Sequence, residues 1–220
     1  RLRTVTGVQT CALPICILLA VSQTSDPTAA WYRYFLPTDS ASDIFPDSPN
    51  LGLNRDSIVI SANMFDRTNY FYASADIFVL RKAPLYAGTA TPEILRFSRN
   101  DIGPPANIPV PAVVFDDTLT TNYLVGNWNG DTTNGGFLAV YTLSTNNGAL
   151  ELALSAFSVE LPFGSPRWDA YSPNDFNFAP QAGTTNRIYV GDARIGNVVF
   201  RVSPDASTLF LAQKIGRAHV

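Results

Sequence analysis

The feature that most limits what this chain can fold into is its punctuation. Short runs rich in Val, Ile, Phe and Tyr are each cut off, after a strand's length, by a cluster of Gly, Pro, Asn, Asp or Ser. β-Branched and aromatic side chains fit a pleated surface and lose rotamer freedom in a helix, while the intervening residues supply turn dihedrals. The pattern predicts strands over Ile17–Gln23, Trp31–Leu36, Ser57–Asn63, Tyr70–Arg81, Val113–Phe115, Asn122–Trp128, Phe137–Leu143, Ala153–Glu160, Arg187–Val190, Asn197–Val202 and Thr208–Ala212. Asp26-Pro27, the run Phe45-Pro46-Asp47-Ser48-Pro49-Asn50 and Gly103-Pro104-Pro105 carry turn or loop chemistry. Asn129-Gly130 and Asn147-Gly148 favour hairpins, because Asn and Gly tolerate positive φ. The best helical candidate is one turn near Ala83–Gly88, with Pro84 early and Gly88 late.

Several runs alternate at period two. Trp31, Arg33 and Phe35 face one way, and Tyr32 and Tyr34 the other; Phe137-Leu138-Ala139-Val140-Tyr141 is apolar on both faces, as in a strand covered on two sides. Such strands fit a sandwich, a barrel or a propeller. Pairs recur: Ser57–Asn63 with Tyr70–Arg81, Asn122–Trp128 with Phe137–Leu143, and Arg187–Val190 with Asn197–Val202, starting roughly 65 residues apart. Aromatic residues are spread through all segments, as needed where each blade buries its faces against its neighbours. The expected fold is all-β, a partial β-propeller of about three to four blades of short antiparallel strands.

Both ends read as translated sequencing adapter. Ile215-Gly216-Arg217-Ala218-His219-Val220 can be encoded by ATC GGA AGA GCA CAC GTC, and Thr10-Cys11-Ala12-Leu13-Pro14-Ile15 by ACG TGT GCT CTT CCG ATC, which are reverse complements over most of their length. The expectation is therefore that residues 1–15 and 214–220 are adapter-derived, as in a metagenomic fragment, and that 16–213 is a partial propeller-like domain. The N-terminal run otherwise imitates a signal peptide and a lipoprotein processing site.

Composition narrows the function. The chain has 15 Lys and Arg against 18 Asp and Glu, a net charge of −3. Without the ends, Arg1, Arg3, Lys214 and Arg217 leave and no acid does, which makes the remainder more acidic still. Nucleic acid and anionic membrane surfaces call for clustered cations, so neither is an expected partner. The only histidine, His219, and Cys11 fall in the ends, leaving Cys16 as the one thiol. That argues against Ser-His-Asp and Cys-His catalysis, His-containing zinc sites and a disulfide framework in the internal piece. No apolar run is long enough to insert through a bilayer as a helix.

Ile17-Leu18-Leu19-Ala20-Val21-Ser22-Gln23-Thr24-Ser25-Asp26-Pro27-Thr28 with Trp31-Tyr32-Arg33-Tyr34, the stretch from Phe45 through Asn54-Arg55-Asp56-Ser57 to Phe65, and Arg187-Ile188-Tyr189-Val190-Gly191-Asp192-Ala193-Arg194 through Arg201 resemble blades of large uncharacterised bacterial extracellular proteins. The resemblance implies a propeller-like fold and a secreted or cell-surface location in a bacterium, and it supplies no activity.

Several constellations merit a structural answer. Asp47, Asp56, Asp169 and Asp192 could include a glycosidase pair, or each could cap a turn. Arg55-Asp56 and Asp192-Ala193-Arg194 could join Arg33 in holding a substrate carboxylate, as a sialidase-like site would, or form ion pairs between blades. Residues 127–136 carry oxygen ligands suited to calcium, but Thr132 stands where an EF-hand needs glycine and no glutamate closes the loop, so a long polar hairpin is expected and no metal or other cofactor is assigned. Trp168, Asp169 and Tyr171 offer aromatic stacking beside an acid, suited to a glycan. The expected function is a non-catalytic extracellular platform for binding or structure, with a glycan or protein as partner. The alternative is a carbohydrate-active propeller enzyme using Asp carboxylates.

Overall fold

A computed structural model of the chain describes residues 5–10, 16–38, 43–98, 108–128, 137–146, 149–160, 178–189 and 195–212. Their regular structure is nearly all strand, with one short helix, and the expected all-β fold is the fold found. Strands β1 (Val5–Thr10), β2 (Cys16–Ser22) and β3 (Trp31–Pro37) form one antiparallel sheet. Next come two four-stranded antiparallel meanders. The first is β4 (Ile44–Leu53), β5 (Ser57–Asp66), β6 (Tyr72–Arg81) and β7 (Ile94–Ser98), with the short helix α1 (Lys82–Tyr86) between its last two strands. The second is β8 (Val110–Val114), β9 (Asn122–Trp128), β10 (Phe137–Asn146) and β11 (Ala149–Glu160). A small hairpin, β12 (Phe178–Pro180) with β13 (Arg187–Tyr189), precedes a second hairpin of β14 (Val198–Val202) and β15 (Ser207–Leu211).

The first strands of successive units lie side by side and parallel: β4 meets β8 at Leu53↔Val113, and β8 meets β14 over Val198↔Ala112 to Phe200↔Val114. This arrangement of meanders joined at their leading strands is consistent with a partial propeller-like fold. Gly52 explains how closely the strands approach. A Cβ there would stand 2.5 Å from the Ala112 carbonyl oxygen and 2.6 Å from Pro111, so only a residue without one fits.

Three apolar layers hold the units together. Period-two alternation sends Ile58, Ile60, Ala62 and Met64 of β5, with Phe78 and Leu80 of β6, to one face, where they meet Ile17, Leu19 and Val21 of β2 and Tyr34 and Leu36 of β3. The opposite face carries Val59, Ile77 and Val79 onto Leu124, Ala139, Tyr141, Leu143 and Leu152 of the second meander. The far face of that meander, Val110, Ala112, Val114, Val125 and Leu138, packs on Ile195, Val198 and Phe200. The double-sided run at Phe137–Tyr141 is thereby accounted for: Leu138 faces one layer, and Ala139 and Tyr141 the other.

Three sequence expectations need correction. The stretch from Phe45 to Asn50 is strand and not loop; Pro46 stays in register opposite Met64, and β4 takes up Ser48 and Pro49 at a register irregularity between Asp47 and Asn50, with Ser48 at φ 50. Strand β7 was not expected, since Arg96 interrupts its apolar run. The expected pairing of Arg187–Val190 with Asn197–Val202 is not the one found among the described residues: β13 pairs with β12, and β14 with β15. The helical turn is present as α1, capped at Ala87 and followed by Gly88 at φ 73, and Tyr34 Oη donates to the Leu85 carbonyl at 2.6 Å, docking α1 on β3. Asn147 and Gly148 lie outside the described residues; the strands on either side pair as far as Asn146↔Ala149. Strand β1 lies within the stretch expected to be adapter-derived. A Val- and Thr-rich hexapeptide can pair with any open edge, so this pairing carries no information on its origin.

Candidate functional site

Of the residues singled out in sequence, Trp168, Asp169, Tyr171, Asp192 and Arg194 lie outside the described residues, whereas Arg33, Asp47, Arg55 and Asp56 lie within them. Arg55 and Asp56 occupy the β4–β5 turn. There Arg55 Nε meets Asp56 Oδ1 at 2.8 Å, and Nη2 meets Oδ2 at 2.9 Å. The ion pair joins adjacent residues of one turn; it does not bridge neighbouring blades as the sequence suggested. The Arg55 hydrogen bond holds the Asp56 carboxyl below the usual range, helped by the charges of Arg55, Arg81 and Lys82 and opposed by burial. Asp47 is exposed on β4 and accepts a hydrogen bond from Ser48 Oγ at 3.1 Å. Arg33 is exposed on β3.

The centre of this end is Asn54. Buried, it accepts at Oδ1 from the amides of Asp56 (2.9 Å) and Ser57 (2.8 Å), and it donates from Nδ2 to the Thr120 carbonyl in the β8–β9 connection. Lys82 Nζ donates to the Asn54 carbonyl, and the Lys82 amide to that of Asp56 at 2.8 Å. Burial lowers the Lys82 ammonium's pKa, against the pull of Asp117 and Asp56. The ionisable groups here fasten the β4–β5 turn to the start of α1, and Asn54 fastens it to the next meander.

Other acids are spent likewise. Asp26 Oδ1 accepts from the Thr28 amide and hydroxyl, and Asp116 Oδ1 does the same with Thr118. Asp76, buried on β6, accepts from Ser74 Oγ at 2.8 Å and from Arg96 Nε at 2.7 Å, while Arg96 Nη1 reaches the Thr38 carbonyl at 2.7 Å. A cleft of about 460 Å³ lies where β6 and β7 face the start of β11; Val79, Leu95, Phe97 and Leu150 make it apolar, and Arg81, Arg96 and Glu93 add charge.

The opposite end of the first meander differs in kind. Phe45, Phe65 and Tyr72 lie across β4, β5 and β6 in register, Phe45 stacked on Phe65 and Tyr72 edge-on to Phe65, each pair 5.9 Å between ring centroids. Tyr70, from the β5–β6 turn, sets its edge on Phe45, also at 5.9 Å. Tyr70 and Phe71 are 70% and 72% exposed, unlike Phe78 and Tyr141, which the core buries completely. The turn is held by its own polar groups. Asp66 Oδ1 accepts from the Thr68 and Asn69 amides, Asn69 Oδ1 from the Phe71 amide, and the Asp66 carbonyl from the Tyr70 amide. Sequence reasoning placed Tyr70–Arg81 in a strand and passed over this patch. The signal was present: three consecutive aromatics cannot all alternate into one core face, and Asp66-Arg67-Thr68-Asn69 before them is a turn.

Among the described residues no group of three or more His, Cys, Asp or Glu is placed to hold a metal, and no helix is long and apolar enough to cross a membrane. Compared with protein-family models, with curated proteins and with solved structures, the chain matches none.

Proposed function

We propose that this chain belongs to a secreted or cell-surface bacterial protein of propeller-like build, and that it serves as a non-catalytic platform for binding or structure. The observation that carries this reading is how its acids are used. Asp26, Asp56, Asp66, Asp76 and Asp116 each direct a carboxylate oxygen at an amide, hydroxyl or guanidinium of the fold itself. A glycosidase needs two carboxylates facing one substrate bond, whereas these serve separate turns and one strand pair. The partner class in keeping with an acidic chain is a glycan or a protein, and not nucleic acid.

The test is turnover. The chain is incubated with a panel of neutral and sialylated oligosaccharides, alongside Asp47→Asn, Asp56→Asn, Asp169→Asn and Asp192→Asn variants. No release of reducing ends or sialic acid is expected. Hydrolysis that disappears in one of these variants would replace the platform with the carbohydrate-active alternative.

A further inference from the structure

We propose that the aromatic tip of the β5–β6 hairpin is a binding surface for neutral polysaccharide, with Tyr70, Phe71 and Tyr72 as its contact residues. The proposal rests on the platform reading and gives it a place and a ligand class. The first support is position. Four rings, Phe45, Phe65, Tyr70 and Tyr72, contact one another at one end of one meander, with Phe71 beside them in sequence; Tyr70 and Phe71 stand largely in water and Tyr72 is about half exposed. Packing does not account for them, since the three apolar layers are built elsewhere.

The second support is backbone conformation. Tyr70 lies at φ 60, in the left-handed region where a Cβ is crowded and where Gly or Asn sits at less cost. The turn closes through Asp66 and Asn69 and asks nothing of the Tyr70 side chain. A bulky residue kept where the backbone disfavours it, and then left exposed, points to what the ring meets outside the fold. The edge-on contacts with Phe45 and Phe65 fix the rings of Tyr70 and Tyr72 beforehand, so little side-chain freedom is lost on binding.

The third support is chemical match. A pyranose has an apolar C–H face and a hydroxyl rim; a tyrosine has an apolar ring and a hydroxyl tip. Asp43, Asp66 and Arg67 flank the patch with more negative than positive charge, which disfavours an anionic lipid surface or an acidic glycan.

The experiment is affinity electrophoresis of the 220-residue chain through gels holding a soluble β-glucan, a xylan or a galactomannan. Flotation on phosphatidylcholine vesicles, with and without phosphatidylglycerol, runs in parallel. At least one polysaccharide is expected to retard the chain, with no flotation. Tyr70→Gly, Phe71→Ala and Tyr72→Ala are each expected to weaken retardation about three- to tenfold, the range of one aromatic contact. Tyr70→Gly suits the turn and is expected to melt at about the parent temperature, which separates lost binding from lost fold. Phe35→Ala, removing a ring 66% exposed on β3, leaves retardation unchanged. The proposal is overturned if none of the three gels retards the chain, if the tip variants migrate as the parent does, or if the chain floats on vesicles without binding polysaccharide. Reducing ends released from a polysaccharide that still depends on Tyr70 would sink the non-catalytic reading and leave the binding surface standing.

Discussion

At the scale of single residues, two positions carry more than their size suggests. Gly52 lies where β4 passes β8, and the atoms a side chain would strike are backbone and the Pro111 Cβ fixed in its ring, none of which can swing aside. Gly52→Ala is therefore expected to destabilise the chain by about 1–3 kcal/mol, the usual cost of forcing extra volume into a packed interior; urea denaturation measures it, and an unchanged midpoint would show that β4 and β8 are further apart than described. Arg96 is the second. Asp76 beneath it is 1% exposed, whereas Arg96 itself is 41% exposed. Arg96→Ala would strand a buried carboxylate and remove the tie to Thr38. Because the guanidinium reaches solvent, the expected loss is about 2–3 kcal/mol, short of a fully buried pair. Neither role was legible from sequence. A glycine inside a strand signals a close approach without naming Pro111 as the neighbour, and Asp76 and Arg96 meet only because β6 and β7 pair.

At the scale of elements, the turns respond to acid. Asp26 and Asp116 each bond a threonine two residues on, through its hydroxyl and its amide, and these bonds lower both carboxyl pKa values below the ordinary 3.8. A carboxyl with a depressed folded pKa adds stability above its unfolded value and loses it as pH falls through the folded one. Both turns are thus expected to hold at neutral pH and to loosen only below 3.8. The amide resonances of Thr28 and Thr118 should titrate with midpoints under that value; a midpoint at or above it would show that the bonds do not form in solution. Local chemistry of this kind reads well from sequence, since the Asp-x-Thr spacing contains both partners. Strand β4 shows the opposite. Pro46, Asp47, Ser48, Pro49 and Asn50 look like a loop by every local preference, and the pairing with β5 outweighs that preference by confining the misfit to one irregularity at Ser48. The aromatic tip lies between the two cases: its turn is visible in sequence, and its ring cluster exists only once β4, β5 and β6 are in register.

At the scale of the whole molecule, the question is whether the stacked units fold as one. Each meander buries both its faces: the first shares one apolar layer with β2 and β3 and another with the second meander, which in turn packs on β14. A meander freed of either neighbour would expose a continuous apolar face, so the inner units are expected to unfold together and not in sequence. This dependence was legible in outline, because Phe137–Tyr141 is apolar on both sides; which unit lies on which face was not, since that follows from long-range packing. Tyr141→Ala probes it directly. Tyr141 is fully buried in the layer between the two meanders, and its loss is expected to cost about 3–5 kcal/mol. Phe210→Ser, by contrast, removes a ring 55% exposed on β15 and should change stability by no more than about 0.5 kcal/mol. Unfolding followed by far-ultraviolet circular dichroism and by tryptophan fluorescence should show one coincident transition in the parent, displaced as a whole in Tyr141→Ala. Two separated transitions, with only one moved by Tyr141→Ala, would mean that the meanders are independent units and that the layer between them is a contact between two folded bodies.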